Sequence, residues 1–236
     1  MRVTAIVPAA GGGQRLGGGV SKQFLPLGGI PILARTLLAL EASRVFAEMV
    51  VVVPAEDLER CQEEIIEPYG ISRAALVAGG NERQDSVYNG LKRASADAEL
   101  ILIHDGVRPF LSAELIWSII QETRIHRATV VAIPAKETIK EVDEEGFAVV
   151  TPERRRLWIS QTPQTFSHEL IREAHERART DGFHGTDDAS LVERLGVKVK
   201  VIPGPFDNIK ITTAEDLALA EWILKRREAL ASGAEL

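Results

Sequence analysis

Val3-Thr4-Ala5-Ile6-Val7-Pro8-Ala9-Ala10-Gly11-Gly12-Gly13-Gln14-Arg15-Leu16 opens the chain. Residues 3–7 are apolar at nearly consecutive positions, the pattern of a strand covered on both faces. The strand runs into small residues and glycines, which leave backbone N–H groups open to a polyphosphate. Arg15 and Lys22 put two cations on the same segment. Ligands of open α/β sheets bind at the carboxyl ends of the strands, where this loop falls. Two better-known glycine motifs do not fit. The dinucleotide fingerprint Gly-x-Gly-x-x-Gly meets Leu16 at its third glycine, and no Gly-Lys-Ser/Thr ending marks a P-loop. The segment reads as a distinct loop for a nucleoside triphosphate.

Outward from it, short apolar runs recur at 49–53, 74–77, 100–103, 129–133 and 197–202. Between them the periodicity becomes helical. Pro31 suits the first position of a helix reaching about Glu41. Residues 81–94 carry Val87, Leu91 and Ala94 at helical spacing. Ser112 caps a helix bearing Leu115, Ile116, Ile119 and Ile120, and Thr213 starts the last helix. Acids Asp187 and Asp188 lead a helical pattern over 189–195, where they favour the macrodipole without any metal. The fold class is α/β: a single domain over 1–236 with a Rossmann-like, mostly parallel, helix-covered sheet and right-handed crossovers.

Residues 138–150 break the alternation. They read as a hairpin turning at Asp143 to Gly146, within an arm spanning 136–156. Isolated ribbons are poorly stable, so the arm either projects onto a second subunit or is a solvated insertion.

Composition narrows the function classes. The 236 residues are 45% hydrophobic and 26% charged, ordinary for a globular protein, and the net charge is −6. General nucleic-acid binding usually needs a basic face, so no nucleic-acid partner is expected. An acidic chain that binds an anionic substrate must gather its cations locally, and Arg15, Lys22, Arg108, Arg154 and Lys210 are the candidates. The lone cysteine, Cys61, excludes an internal disulfide and suits a reducing compartment. It reads as a helix-face or partly buried thiol. No membrane span or leader is expected, and the chain reads as cytoplasmic.

Six blocks occur in order: Pro8-Ala9-Ala10-Gly11-x-Gly13-x-Arg15 with Ser21-Lys22-Gln23-Phe24-Leu25; Gly79-Gly80-Asn81-Glu82-Arg83-x-x-Ser86-Val87; His104-Asp105-Gly106-x-Arg108-Pro109; Gln161-Thr162-Pro163-Gln164; Thr186-Asp187-Asp188-Ala189-Ser190; and Asp207-Asn208-Ile209-Lys210-Ile211-Thr212. Together they resemble the 2-C-methyl-D-erythritol 4-phosphate cytidylyltransferase family of the non-mevalonate isoprenoid pathway, over nearly the whole chain. Gly106-Val107 stands where that family often has two alanines, and Asn81 where it often has Asp.

The resemblance implies a nucleotide-diphospho-sugar transferase type of fold and transfer of CMP from CTP to a polyol phosphate. It assigns catalysis to Arg15, Lys22, Arg154 and Lys210. Ala9, Ala10, Gly11, Gly80, Asn81, Ser86 and Gly106 fall on CTP-contact positions. Asp105, Arg108, Thr138, Arg154, Thr162, Thr186 and Lys210 fall on acceptor positions. Thr138 and Arg154 flank the hairpin, so in a homodimer built through the 136–156 arm they would come from the neighbouring chain. Mg²⁺ is implied as the cofactor, chelated largely by the triphosphate, with Asp105 either a ligand, a contact to acceptor hydroxyls, or a cap for its own loop. His104 reads as packed rather than catalytic. The rival readings are a cytidylyltransferase for another polyol phosphate such as ribitol 5-phosphate, a sugar-1-phosphate nucleotidyltransferase, a nicotinamide-dependent oxidoreductase and a nucleotide-binding scaffold.

Overall fold

Strand β1 (Val3–Pro8) lies inside the main sheet of the computed structural model, which describes residues 1–11 and 21–232. After it come β2 (Pro26–Leu27), β3 (Ile30–Pro31), α1 (Ile32–Ala42), β4 (Glu48–Val53), α2 (Leu58–Cys61), β5 (Ala74–Ala78) and α3 (Arg83–Arg93). The second half adds β6 (Leu100–Ile103), α4 (Ala113–His126), β7 (Ala128–Pro134), β8 (Glu141–Val142), β9 (Ala148–Val150), β10 (Trp158–Ser167), α5 (His168–Thr180), α6 (Asp188–Arg194), β11 (Lys200–Pro203) and α7 (Ala214–Ala231). Among the described residues the main sheet has seven strands in the order β11-β7-β10-β6-β1-β4-β5. All its pairings are parallel except those of β10, which runs antiparallel to both β6 and β7.

Successive side chains of a strand point to opposite faces, and β1 divides accordingly. Ala5 and Val7 join Leu33 and Leu37 of α1 and Ile116 and Ile120 of α4 on one face. Ile6 joins Val87 and Leu91 of α3, Leu170 of α5 and Leu191 of α6 on the other. Ile6 is fully buried, so Ile6→Ala would cost about 2–5 kcal/mol through the cavity it opens. A smaller cluster seats α7 on the β2–β3 ribbon through Leu27, Ile32, Ile211 and Ile223. No described helix is long and apolar enough to cross a membrane.

The helix starts follow their caps. Ser112 accepts the amide of Leu115 at 3.2 Å, and Thr213 with Asp216 forms a capping box at the head of α7. Pro31 stands one place earlier than the sequence implies: it closes the β2–β3 ribbon and caps α1 instead of entering it. The strand expected over 197–202 begins only at Lys200, because Val197 and Val199 pack against the face that carries α5 and α6 before the chain joins the sheet. Cys61 is fully buried rather than partly so. Burial, together with Asp57, pushes its thiol up to about 12.

The hairpin forms as β8 and β9, paired with each other and with no strand of the main sheet. Asp143 Oδ1 accepts the amides of Glu145 and Phe147, and Gly146 takes the positive φ of 89° that the turn requires. Its apolar residues face outward; Phe147 is 67% exposed and Val149 56%.

Candidate active site

The carboxyl ends of β1, β5 and β6 meet at one cleft. Ala9 N–H donates to Val52 O at 2.7 Å, and Gly106 N–H to Pro8 O at 3.1 Å, so the loops leaving β1 and β6 are pinned to neighbouring strands. A cavity of about 220 Å³ opens there, with Ala9, Ala10, Gly11, Lys22, Gly80, Asn81 and Ser86 on its wall. Ser86 holds the loop after β5 from both sides. Its Oγ accepts Gly80 N–H at 3.1 Å and donates to Glu82 O at 3.1 Å. A Cβ on Gly80 would collide with that of Asp85, so only glycine lets the chain turn this tightly against α3.

Asp105 stands one residue past His104 at the end of β6, and three cations surround it. Arg83 Nε is 3.3 Å from its Oδ1; Arg108 Nε and Lys210 Nζ are 3.4 and 3.1 Å from its Oδ2. Burial alone would raise this carboxyl, but Arg83, Lys210 and Arg108 outweigh burial and hold it well below the ordinary range. Its backbone N–H donates to Thr162 Oγ1 at 3.0 Å. Thr162 also meets His104 Nδ1 at 3.1 Å, while His104 Nε2 lies 3.0 Å from Arg108 O. A carbonyl can only accept, so the imidazole proton sits on Nε2, and Nδ1 accepts the Thr162 hydroxyl proton. Burial holds this histidine neutral, with its pKa pushed down to about 4 against the pull of the Arg108 carbonyl and Asp105.

A second cavity of about 230 Å³ has Arg108, Thr162 and Thr186 on its wall. Arg83, Asp105 and Lys210 line both cavities. An anion in one is thus separated from an anion in the other by the same cation-rich partition.

The site residues named from sequence divide into five groups. Ala9, Ala10, Gly11, Lys22, Gly80, Asn81 and Ser86 border the first cavity, Arg108, Thr162 and Thr186 the second, and Asp105 and Lys210 both. Gly106 borders neither. It sits behind Ala9, where a Cβ would come within 2.9 Å of that of Ala9 and 3.0 Å of Leu33 Cδ1. Thr138 and Arg154 are exposed on the arm and also border neither; Arg154 Nη1 donates to Lys136 O at 2.9 Å. Arg15 lies outside the described residues.

The two acids stand at a helix N-terminus as expected: Asp187 caps α6, accepting Ser190 N–H at 2.9 Å, and Asp188 lies in its first turn. What the sequence did not indicate is the burial of Asp188, which is 1% exposed and paired with Arg83 at 2.8 Å and His175 at 3.1 Å. Sequence reasoning misses Arg83, although one signal points to it. It is the first residue of α3, where a cation opposes the helix dipole and needs a reason to be there.

The donor set does not make a metal cage. No group of three or more His, Cys, Asp or Glu side chains comes together among the described residues. The one carboxylate at the junction of the cavities, Asp105, is already ringed by cations. Such a wall suits a divalent ion that arrives on phosphates and asks little of the protein.

Comparison with known proteins agrees with this geometry. The sequence model of the family described as 2-C-methyl-D-erythritol 4-phosphate cytidylyltransferase matches residues 3–226. The 2-C-methyl-D-erythritol 4-phosphate cytidylyltransferase of Geobacter metallireducens is 47% identical over 231 residues, covering 96% of this chain and 99% of that protein. That of Geotalea uraniireducens is 49% identical over 228 residues, covering 95% and 97%. Among solved structures, the 4-diphosphocytidyl-2C-methyl-D-erythritol synthase of Anaerococcus prevotii superposes with a TM-score of 0.86 at 34% identity, covering 95% of this chain and 96% of that one. The chain belongs to the 2-C-methyl-D-erythritol 4-phosphate cytidylyltransferase family.

Proposed function

We propose that the two adjoining cavities carry the transfer of CMP from CTP to 2-C-methyl-D-erythritol 4-phosphate, giving 4-diphosphocytidyl-2-C-methyl-D-erythritol and pyrophosphate in isoprenoid precursor synthesis. The observation that carries this reading is the shared partition of Arg83, Asp105 and Lys210 between a glycine-lined cavity and a second, polar one. A phosphate oxygen of the acceptor attacks the α-phosphorus of CTP, and the bond from that phosphorus to the bridging oxygen of pyrophosphate breaks. The nucleophile is an anion at neutral pH, so no general base is needed. The work is to bring two polyanions together and stabilise the charge between them, which is positioning and electrostatics. The neutral, buried His104 suits this, because a proton acceptor is not required.

The small residues Ala9, Ala10, Gly11 and Gly80, with Asn81 and Ser86, would approach the nucleotide, and Lys22 and Arg15 would face its triphosphate. Lys210 and Arg108 would take the acceptor's phosphate. Mg²⁺ held on the triphosphate would supply further charge neutralisation, with Asp105 the carboxylate nearest the junction. The exposed apolar arm would pair with a second copy and deliver Thr138 and Arg154 to the partner's acceptor cavity. A buried, unreactive single cysteine accords with a reducing cytoplasmic setting. The test is pyrophosphate release with CTP across a panel of polyol phosphates. Turnover strongest with 2-C-methyl-D-erythritol 4-phosphate supports the reading; preference for ribitol 5-phosphate, or no release, overturns it.

A further inference from the structure

We infer that Arg83 is a positioning residue for the acceptor cavity: it anchors Asp105 through Oδ1, the oxygen that Arg108 and Lys210 do not face, and the buried Asp188–His175 pair anchors Arg83. The inference rests on the cytidylyltransferase reading of the cleft.

The three cations around Asp105 do not share it equally. Arg108 and Lys210 both face Oδ2, whereas Oδ1 is left to Arg83. Lys210 is 37% exposed and holds the carboxylate through one point charge. A phosphate entering the second cavity competes with Oδ2 for both Arg108 and Lys210. Asp105 would then be a buried carboxylate losing its partners, and such a group moves or takes up a proton. The Oδ1 contact prevents this only if Arg83 cannot follow the phosphate as well.

Arg83 is held back by a second carboxylate. Its Nη1 lies 2.8 Å from Asp188 Oδ2, and His175 Nε2 lies 3.1 Å from the other oxygen of Asp188. Asp188 and His175 are buried, and Asp188 lies outside the walls of both cavities. Asp188 would be left as an uncompensated buried charge if Arg83 swung toward substrate, which costs several-fold more than any surface ion pair supplies. The guanidinium meets its two carboxylates through separate nitrogens, Nε and Nη1. A lysine, with one ammonium on a flexible stem, cannot reproduce that fork. The bracket also joins distant parts of the fold, since Arg83 heads α3, Asp105 lies two residues past β6, Asp188 heads α6 and His175 lies within α5.

Asp188→Asn is the discriminating variant, because Asp188 itself lines neither cavity. Asp188→Asn and Arg83→Lys should each raise the KM for the polyol phosphate by about tenfold, the scale of a lost hydrogen bond to a charged group. The KM for CTP should stay within about twofold in Asp188→Asn, and the double variant should be no worse than Arg83→Lys alone, since residues acting in series do not add. Equal rises in both KM values of Asp188→Asn, an unchanged acceptor KM in that variant, or effects that multiply in the double variant would overturn the inference. If Asp188→Asn does not fold at the assay temperature, the acceptor KM of Arg83→Lys decides alone, and an unchanged value overturns the inference. Wild-type turnover, measured in parallel, tests the underlying reading: its absence sinks that reading, whereas normal wild-type turnover with no split sinks only the role of Arg83.

Discussion

The hydroxyl of Thr162 accepts the backbone N–H of Asp105 at 3.0 Å. Its own proton is taken by His104 Nδ1 at 3.1 Å. Toward a substrate, then, Thr162 has a lone pair to offer and no proton, and a polyol hydroxyl meeting it must donate. Thr162→Val keeps the shape but leaves the amide of Asp105 and the ring nitrogen of His104 unpartnered and buried. Stability should fall by about 2–6 kcal/mol, at about 1–3 kcal/mol per orphaned group. Thr162→Ser should recover most of it. Urea unfolding of the two variants checks this, and equal losses in both would contradict the network.

His104 makes stability depend on pH in a definite window. Its pKa in the folded chain is pushed down to about 4 by burial, against an unfolded value of about 6.5. The unfolded chain therefore binds a proton that the folded chain refuses, and stability is fully present above about pH 6.5 and is lost as pH falls toward about 4. The loss over that span is on the order of 3 kcal/mol from this one residue. Asp105 and Asp188, both held below the ordinary carboxyl range, act in the adjoining window: their stabilisation is present above about pH 4 and is lost as pH falls further. Urea midpoints measured at half-unit steps from pH 4 to 7.5 should slope downward into acid. His104→Gln, which can still donate to the Arg108 carbonyl, should flatten that part of the curve.

Parts of the cleft are legible in the sequence. The end of β1, the residue pair His104-Asp105 and the cap at Ser112 each follow from local rules, because strand ends and caps are written in adjacent residues. Strand β10 was not legible. Its core, Gln161-Thr162-Pro163-Gln164, is polar and contains a proline, which argues against an interior strand. The sheet accommodates it by a break in register between Ser160 and Gln164 in its pairing with β7. Polar side chains there are buried because they have partners: Gln164 Nε2 donates to Asp187 Oδ2 at 2.8 Å and its Oε1 accepts Ala189 N–H at 2.9 Å. The Arg83–Asp188 pair was hidden for the same reason, since its partners lie 105 residues apart and each alone looks like a solvated charge.

The loop after β5 should discriminate between the substrates. Gly80→Ala would drive a methyl group against Asp85 and force the loop away from Ser86. Overpacking of this kind costs about 1–3 kcal/mol. The displaced segment borders the first cavity, so the KM for CTP should rise by about tenfold while that for the polyol phosphate stays nearly constant. Steady-state kinetics with each substrate varied in turn checks this. A selective rise in the acceptor KM would mean that the cavities have been assigned the wrong way round.

Neither Thr138 nor Arg154 lines either of the two cleft cavities among the described residues, and the arm that carries them exposes Phe147 and Val149 to solvent. If the arm serves a partner, a cleft defect and an arm defect must complement each other. Lys22→Ala removes a cation from the nucleotide cavity and should lower kcat by about 10²–10³-fold, the scale of losing one donor aimed at a developing charge. Arg154→Ala should instead raise the acceptor KM. Each homodimer then has two defective sites. A mixed dimer has one site with both defects and one with neither, because the cleft of the Arg154→Ala chain receives the intact arm of its Lys22→Ala neighbour. Random exchange at equal concentrations makes about half the dimers mixed, so about a quarter of all sites should work normally. Co-refolding the two variants and assaying at low acceptor concentration, where both parents are nearly silent, measures that fraction. Activity no greater than the average of the parents would mean that the arm acts on its own chain or not at all, and Phe147→Asp, which should split the dimer by placing a charge in the buried ribbon, would then leave sedimentation unchanged.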